Sequence, residues 1–210
     1  MIVHQPHPQR QTAVAPDEIL TIKIVENEEE RFKAMIIRAI VYMHEQHCPY
    51  NEEFDLNDHT ATQIIGLTAD QEPVLTARIR YFSNFAKIER LAIREEYRGL
   101  GYGYRLLNFI LSLCRQKGYS QFYLHAQARL QSFYESYGFR VVGHNFAFSD
   151  HHYLEMLLEE SSSVLLPFTW IARDPMALNR PDGSFHKAGP LERRASFSCE
   201  LQTGYAGQLA

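Results

Sequence analysis

Several features that mark secreted, membrane-bound or nucleic-acid-binding proteins are missing from this 210-residue chain. Its cysteines, Cys48, Cys114 and Cys199, are far apart and odd in number, which argues against a disulfide framework and favours a reducing compartment. The net charge of −4 gives no electrostatic reason to expect nucleic acid or an anionic membrane as a partner. No run approaches the roughly 18 apolar residues that a membrane-spanning helix needs. We therefore expect a cytoplasmic protein that binds neither nucleic acid nor membrane.

Regular hydrophobic periodicity is confined to the middle of the chain. Residues 1–18 are polar and rich in proline, without the apolar core of a secretory signal, and are expected to be a flexible lead. Residues 160–210 contain a serine run and several Pro and Gly residues, so we expect a C-terminal extension that packs on the domain or is partly disordered. Within this extension, one short strand over residues 164–171 is an alternative to irregular structure. Residues 19–159 are long enough for one domain with a hydrophobic core.

The pattern over residues 19–159 predicts the order β-α-β-β-β-α-β-α-β-β. Because strands come in adjacent runs, this predicts an α/β (α+β) protein with a mixed sheet rather than regular βαβ units. In the first helix, Asn27 is placed to cap and Glu30 completes a capping-box pattern. Strands are predicted at residues 20–25, 62–68, 74–82, 86–93, 121–126, 139–143 and 153–158, and helices at 27–44, 99–118 and 129–137. The apolar residues with helical spacing in the first helix are Phe32, Met35, Ile36, Ala39, Ile40 and Met43.

The strongest chemical signal is the glycine-rich stretch Arg98–Tyr104, between a predicted strand and a predicted helix. Unpaired backbone N–H groups and the helix dipole make a helix N-terminus favourable for a diphosphate. Glycine permits positive φ and close approach of the backbone, and Arg98 can add a charge-assisted hydrogen bond. The Gly-Lys-Ser/Thr of a Walker loop is absent, and the spacing does not fit a dinucleotide fingerprint.

The pattern R-x-x-G-x-G, formed by Arg98, Gly101 and Gly103, resembles the coenzyme A signature of the GNAT superfamily of N-acetyltransferases. A second stretch is similar to that family's second motif, with Gln and Leu where Asn and Ala are usual: Gln127-x-x-Leu130-x-x-x-Tyr134-x-x-x-Gly138-Phe139. The segments HAQ, FYESYGF and EQHCPYNEEFD resemble the ElaA-type branch. The resemblance covers about residues 20–156.

This resemblance implies a strongly twisted, mostly antiparallel sheet of about seven strands flanked by helices. Strands four and five would splay to admit the pantetheine arm of coenzyme A. The implied activity is transfer of acetyl from acetyl-CoA to a primary amine of a small molecule or peptide, by direct attack in a ternary complex. Tyr134 would approach the sulfur as a catalytic residue. The expected cofactor-binding residues are Leu91, Ala92, Ile93, Arg98, Gly99, Leu100, Gly101, Tyr102, Gly103, Tyr104, Gln127 and Tyr134.

A base must also take the proton of the amine. Glu89 is the catalytic candidate, because strand alternation places it on one face with Leu91 and Ile93. The equal alternative for Glu89 is an ion pair with Arg78 or Arg80.

Histidines offer a second candidate base, at His125, because imidazole titrates in the right range. A structural role is the alternative for His125. Two other histidine clusters occur, at residues 44–47 and 151–152. Neither is joined by a second group of ligand residues at a spacing known for metal sites, so we expect no metal.

Charge is unevenly distributed along the chain. Residues 78–105 contain seven basic and three acidic residues, a local excess that would suit the phosphates of coenzyme A. Residues 45–60 are acidic and could attract a cationic acceptor, with a solvated loop as the alternative. Two hypotheses of different class stay open: an acetyltransferase, or a non-catalytic acyl-CoA sensor that docks a partner through residues 161–210. A homodimer is also left open.

Overall fold

The computed structural model describes residues 20–148 and 151–160, which form one seven-stranded sheet flanked by helices. The strands are β1 (Thr21–Ile24), β2 (Thr62–Leu67), β3 (Pro73–Tyr81), β4 (Ala86–Ile93), β5 (Gln121–Gln127), β6 (Arg140–Phe148) and β7 (His151–Glu159). The helices are α1 (Glu28–Arg38), α2 (Tyr50–Glu53), α3 (Tyr102–Gln116) and α4 (Gln131–Glu135). A π-helical segment, Ala39–Glu45, continues α1, and 3-10 turns cover Leu56–His59, Glu95–Tyr97 and Ala128–Leu130.

The strands lie in the order β1-β2-β3-β4-β5-β7-β6, and every neighbouring pair is antiparallel except β4 and β5. The predicted element order and the mixed, mostly antiparallel sheet are confirmed. The last two strands are longer than predicted because their hydrogen-bonded ladder continues beyond the apolar stretches. The predicted lead, 1–18, and the extension, 161–210, lie outside the described residues. Within the described part, no helix has both the length and the apolar character to cross a bilayer.

Helix α3 covers one face of the sheet. It ends as predicted, with Gly118 at a positive φ of 93° directly after the C-cap residue Lys117. Its apolar side belongs to the main hydrophobic core, together with residues of β3, β4, β5 and β7. The predicted inward-facing residues are buried, apart from the partly buried Phe109: Leu106, Leu107, Ile110, Leu113 and Cys114.

Helix α1 covers only part of the other face. Asn27 caps it as predicted, accepting a hydrogen bond of 2.9 Å from the backbone N–H of Glu30. The carboxylate of Glu30 reaches the backbone N–H of Glu26 rather than that of the cap residue. The predicted apolar series is partly wrong, because Phe32 and Ile36 are 65% and 53% exposed. The buried side of α1 is formed instead by Ala34, Ile37 and Arg38.

Strand β4 contains a bulge that overturns the predicted alternation. Arg78 of β3 pairs with Glu89, and Thr76 pairs with Ala92, so between these pairs one residue of β3 faces two residues of β4. The additional residue is accommodated at Arg90, whose φ is 54°. Glu89 therefore does not share a face with Leu91 and Ile93, which pack on the α3 side. Glu89 lies on the α1 side, beside its cross-strand partner.

The bulge lies where β4 and β5 separate. Their parallel pairing is limited to Ala86–Ile88 with Phe122–Leu124. Beyond these residues each strand is held by its other neighbour, β3 or β7. The strands thus splay as the resemblance implied, and the region beyond Ile88 and Leu124 is called the opening between β4 and β5.

Candidate active site

On the α3 side of the opening, the glycine-rich loop leads into the N-terminus of a 15-residue helix. Gly99 and Gly101 both have φ of 79°, and Gly101 is the N-cap residue of α3. A Cβ atom at either position would have no neighbour within 4 Å, so backbone conformation and not space calls for glycine. At Gly103, a Cβ would lie 3.7 Å from Phe133, which is ordinary contact. The free N–H groups of this helix end are placed to receive an anion.

Aromatic rings fix the loop to α4. The ring of Tyr104 lies 5.0 Å from that of Phe133 and 6.0 Å from that of Tyr137. The Tyr137 hydroxyl donates a hydrogen bond of 3.0 Å to the Tyr104 carbonyl. Tyr102 is buried in the core, whereas Leu100 is 39% exposed. Of these predicted cofactor-binding residues, Leu100 and Tyr104 present side chains at the surface, and Tyr102 can contribute only its backbone.

Arg98 faces the opening rather than the helix end. Its Nε donates to the carbonyl of Ile93 at 2.8 Å, and its guanidinium pairs with the Glu45 carboxylate on the π-helical segment. The side chain is 43% exposed. Arg98 therefore joins the loop, β4 and the α1 side of the molecule.

The positive charge that the sequence predicted near the glycine-rich loop lies elsewhere in the structure. Arg94 pairs with Glu72 and Glu96, and Arg105 donates to the carbonyl of Leu20. The other cations lie across the sheet, because alternation in β3 and the bulge in β4 direct them to the α1 side. They are Arg78, Arg80, Lys87 and Arg90.

Two tyrosines, Tyr134 and Tyr42, have raised pKa values. Tyr134, on α4, is 5% exposed, and burial raises its pKa to about 12. Tyr42, on the π-helical segment, donates a hydrogen bond of 2.7 Å to the Leu91 carbonyl, and burial raises its pKa well above the usual range. The charge of Glu53, and to a smaller extent Tyr134, also raises the pKa of Tyr42. Sequence reasoning missed Tyr42, which stands in the apolar run of the first helix without any motif around it.

Gln127 closes the end of β5. Its Nε2 donates to the side-chain oxygen of Gln46 at 2.7 Å, and its Oε1 accepts from Arg129 at 2.8 Å. Ala92 lies opposite, with its side chain buried beside Ile37 and Val41. A ligand in the opening could therefore contact Ala92 only through its backbone.

A cavity of about 380 Å³ lies on the α1 side of the opening. Its walls combine charged groups with aromatic rings and come from five strands and the segment after α1. The lining residues are Tyr42, Asp55, Arg78, Arg80, Lys87, Ile88, Glu89, Arg90, His125, Phe146 and Tyr153.

Glu89 is held by three cations in this cavity. Its carboxylate lies 3.0 Å from Arg78, 2.7 Å from Arg80 and 2.9 Å from Lys87. Burial alone would raise the pKa of Glu89, but the hydrogen bonds from Arg80 and Lys87 and the nearby positive charges lower it to about 2. A carboxylate with so low a pKa is a weak proton acceptor, and the contacts match the ion-pair alternative.

His125 projects from β5 into the same cavity. Burial lowers the pKa of His125, and the charge of Lys87 lowers it further, which favours the neutral imidazole. The Tyr123 hydroxyl lies 2.7 Å from Nε2 of His125 and donates its hydrogen to the Glu155 carboxylate. Because a phenol has one hydrogen, Nε2 must be the donor to Tyr123. This leaves Nδ1 of His125 unprotonated.

Buried ion pairs hold the acidic segment against the sheet. Arg38 is 0% exposed and lies 2.5 Å from the Glu53 carboxylate and 2.6 Å from that of Asp58. Arg78 pairs with Asp55 at 2.7 Å and with Asp58 at 2.9 Å. Glu53, Asp55 and Asp58 thus serve internal arginines, which leaves fewer carboxylates for a cationic acceptor than the sequence suggested.

Within residues 20–148 and 151–160, no group of three or more His, Cys, Asp or Glu side chains is arranged to hold an ion. The expectation that the reaction needs no metal stays a prediction.

Comparison with known proteins identifies the architecture. The sequence profile described as "Acetyltransferase (GNAT) domain" matches residues 27–160. The chain belongs to the GNAT acetyltransferase family. As a GNAT protein it is an acyltransferase that takes its acyl group from acyl-CoA, which confirms the predicted enzyme class and favours it over the sensor.

Individual GNAT relatives agree with this result. A Bacillus subtilis (strain 168) protein, provisionally named an acetyltransferase, is 31% identical over 147 residues, which are 69% of this chain and 100% of that protein. The structure of Escherichia coli ElaA is 28% identical with a TM-score of 0.62, over 67% of this chain and 100% of that one. An acyl-CoA N-acyltransferase from Pseudomonas aeruginosa is 25% identical with a TM-score of 0.62, over 68% of this chain and 99% of that one. The similarity to ElaA agrees with the branch predicted from the motifs.

Proposed function

We propose that this enzyme transfers an acetyl group from acetyl-CoA to a primary amine by direct attack in a ternary complex. The observation that carries the proposal is the opening between β4 and β5, with a helix N-terminus on one face of the sheet and a charged cavity on the other. A donor and an acceptor that enter from opposite faces can meet there without an acetylated enzyme intermediate.

The donor side would bind coenzyme A mainly through the backbone. The diphosphate would lie on the N–H groups of Gly99–Tyr104, where two glycines already have the required positive φ. The pantetheine arm would run along the edge of Leu91–Ile93 that β5 leaves, in the manner of an added strand. Arg98 and Gln127, at the two ends of this edge, would contact the arm or the phosphates.

Tyr134 is proposed to stabilise the leaving group. When the neutral amine attacks the thioester carbon, a C–N bond forms, the C–S bond breaks and negative charge develops on sulfur. Because its pKa is raised to about 12, the Tyr134 hydroxyl stays protonated and can donate a hydrogen bond to that sulfur. The products are the acetamide and the thiolate of coenzyme A, which takes a proton from solvent.

For the proton of the amine, the contacts favour His125 over the predicted Glu89. Glu89 is ionised, faces three cations and has a pKa of about 2. His125 is neutral, lines the cavity and has its Nδ1 lone pair free of the bond to Tyr123. We therefore propose Nδ1 of His125 as the base, with Glu89 organising the cations around the acceptor.

Release of free thiol from acetyl-CoA tests the proposal. The protein is incubated with acetyl-CoA and a broad panel of primary amines, and each acetylated product is identified by mass spectrometry. We expect at least one amine to raise thiol release above the rate of hydrolysis, with one acetamide formed per thiol. Tight binding of acetyl-CoA without acetylation of any amine would contradict the proposal and favour the acyl-CoA sensor.

A further inference from the structure

The cavity on the α1 side has more positive than negative groups in its walls. Four cationic side chains, Arg78, Arg80, Lys87 and Arg90, face two carboxylates, Asp55 and Glu89. Burial and the charge of Lys87 lower the pKa of His125, which favours its uncharged form. Like charges this close repel one another unless an anion lies between them.

Internal partners account for two of the four cations. Arg78 is 2% exposed and pairs with Asp55, Asp58 and Glu89. Arg90 lies 3.3 Å from the buried Glu53 and donates to the carbonyl of Glu52 at 2.7 Å. These arginines are therefore part of the scaffold.

Arg80 and Lys87 are different. Both depend for a charged partner on Glu89, which Arg78 also contacts, so one carboxylate faces three cations. Their side chains keep 22% and 17% of their surface exposed at the cavity. The nearby Glu155 carboxylate accepts from Tyr123 instead.

The rest of the cavity is aromatic and apolar. Phe146 stacks on Tyr153 at 5.6 Å between ring centroids, and Phe146 contacts the ring of His125 at 4.9 Å. A ligand that fills this space would have a short apolar body between its two polar ends. One end would reach Arg80 and Lys87, and the other would reach His125 and the opening.

We infer that the acceptor is a small primary amine that also carries an anionic carboxylate or phosphate group, which Arg80 and Lys87 bind. The inference rests on the proposed acetyl transfer for the identity of the ligand as an acceptor. It replaces the cationic acceptor that was one interpretation of the acidic segment in the sequence. The anionic group neutralises the excess charge of the cavity and fixes the amine beside His125.

The test compares amines that differ in one anionic group: β-alanine with β-alaninamide, and phosphoethanolamine with ethanolamine. Spermidine serves as the cationic probe. Thiol release from acetyl-CoA is measured, and kcat/KM is calculated with the concentration of the unprotonated amine. We expect kcat/KM to be at least about tenfold higher for the anionic member, as for a hydrogen bond between charged groups. The pair with the larger ratio identifies the anionic group as carboxylate or phosphate.

Variants assign the effect to the two cations. Arg80→Gln and Lys87→Gln should each lower the anionic-to-neutral ratio towards one, whereas Arg80→Lys should keep much of it. Arg115→Gln is the matched control, because Arg115 lies on α3 and pairs with Glu160 outside the cavity. Its ratio should equal that of the wild type. Thermal unfolding checks that each variant is folded, and an unchanged ratio in both glutamine variants would overturn the inference.

Failure of this inference can be told apart from failure of the proposed function. Efficient acetylation of the amides or of spermidine, without preference for the anionic amines, overturns the inference and leaves acetyl transfer intact. If no amine is acetylated, calorimetric titration of β-alanine and phosphoethanolamine still decides. Saturable binding to the wild type that is lost in Arg80→Gln supports an anion-binding cavity, and no binding to the wild type overturns it.

Discussion

The two sides of the sheet opening use different parts of the chain for recognition. On the α3 side, the loop Gly99–Gly103 offers backbone N–H groups at a helix end, and Gly99 and Gly101 have conformations that other residues rarely adopt. On the α1 side, side chains from five strands form a charged cavity over a buried ion-pair network. The donor side should therefore be sensitive to backbone changes, and the acceptor side to single side-chain charges.

The largest expected effect is on the donor side, at Gly101→Glu. This change places a side chain at φ of 79° and a negative charge at the proposed diphosphate site. We expect the Kd for acetyl-CoA to rise by about 100-fold or more, which corresponds to about 2.7 kcal/mol. Isothermal titration calorimetry measures the effect.

Gly118→Ala is the matched control for Gly101→Glu. Gly118 also has a positive φ, of 93°, but lies at the other end of α3. The variant should lose stability through backbone strain and still bind acetyl-CoA as the wild type does. Equal loss of binding in both variants would show that general destabilisation, and not the loop, is responsible.

The second largest effect is expected at the opening between β4 and β5. Tyr134→Phe removes the hydroxyl proposed to face the sulfur and leaves the buried ring. We expect kcat to fall by about 100-fold, within the range for a positioned proton donor. The Kd for acetyl-CoA should stay within about twofold, because the hydroxyl acts on charge that develops only during the reaction. An unchanged kcat would remove Tyr134 from the mechanism.

A smaller effect is expected on the acceptor side, in His125→Gln. The glutamine amide can still donate to Tyr123 but cannot accept the amine proton at neutral pH. We expect kcat/KM to fall by about tenfold, because the attacking amine can also lose its proton to water. Steady-state rates with an amine substrate over a range of pH measure this change.

The pH dependence of kcat/KM is a second test of His125 as the base. Since burial and Lys87 lower the pKa of His125, wild-type kcat/KM should rise with pH through a midpoint below that of an ordinary imidazole. This step should be absent in His125→Gln. A step that persists in the variant would show that another group is the base.

The sequence predicted the donor side better than the acceptor side for a physical reason. The loop around Gly101 is local: a strand end, the glycines and a helix start lie within a few residues of one another. The seven strands could also be located from the hydrophobic periodicity of short stretches of sequence. Glu89 shows the limit, because a single-residue bulge at Arg90 reversed the predicted facing of the residues after it.

The acceptor cavity depends on contacts between residues that are distant in sequence. Arg38 falls on the buried side of α1 only because Glu53 and Asp58 reach it from the following segment. The same segment looked like an open acidic loop in the sequence. Motif analysis could not identify Tyr42, because its hydrogen-bond partner is a backbone carbonyl 49 residues away.

A crystal structure of the protein with coenzyme A tests the account most directly. The account predicts the diphosphate on the backbone N–H groups at the start of α3, with the thiol in the opening between β4 and β5 beside the Tyr134 hydroxyl. The cavity around Arg80 and Lys87 should remain free of the cofactor. Binding of the diphosphate in that cavity, or of the thiol outside the opening, would contradict the assignment of the two sides.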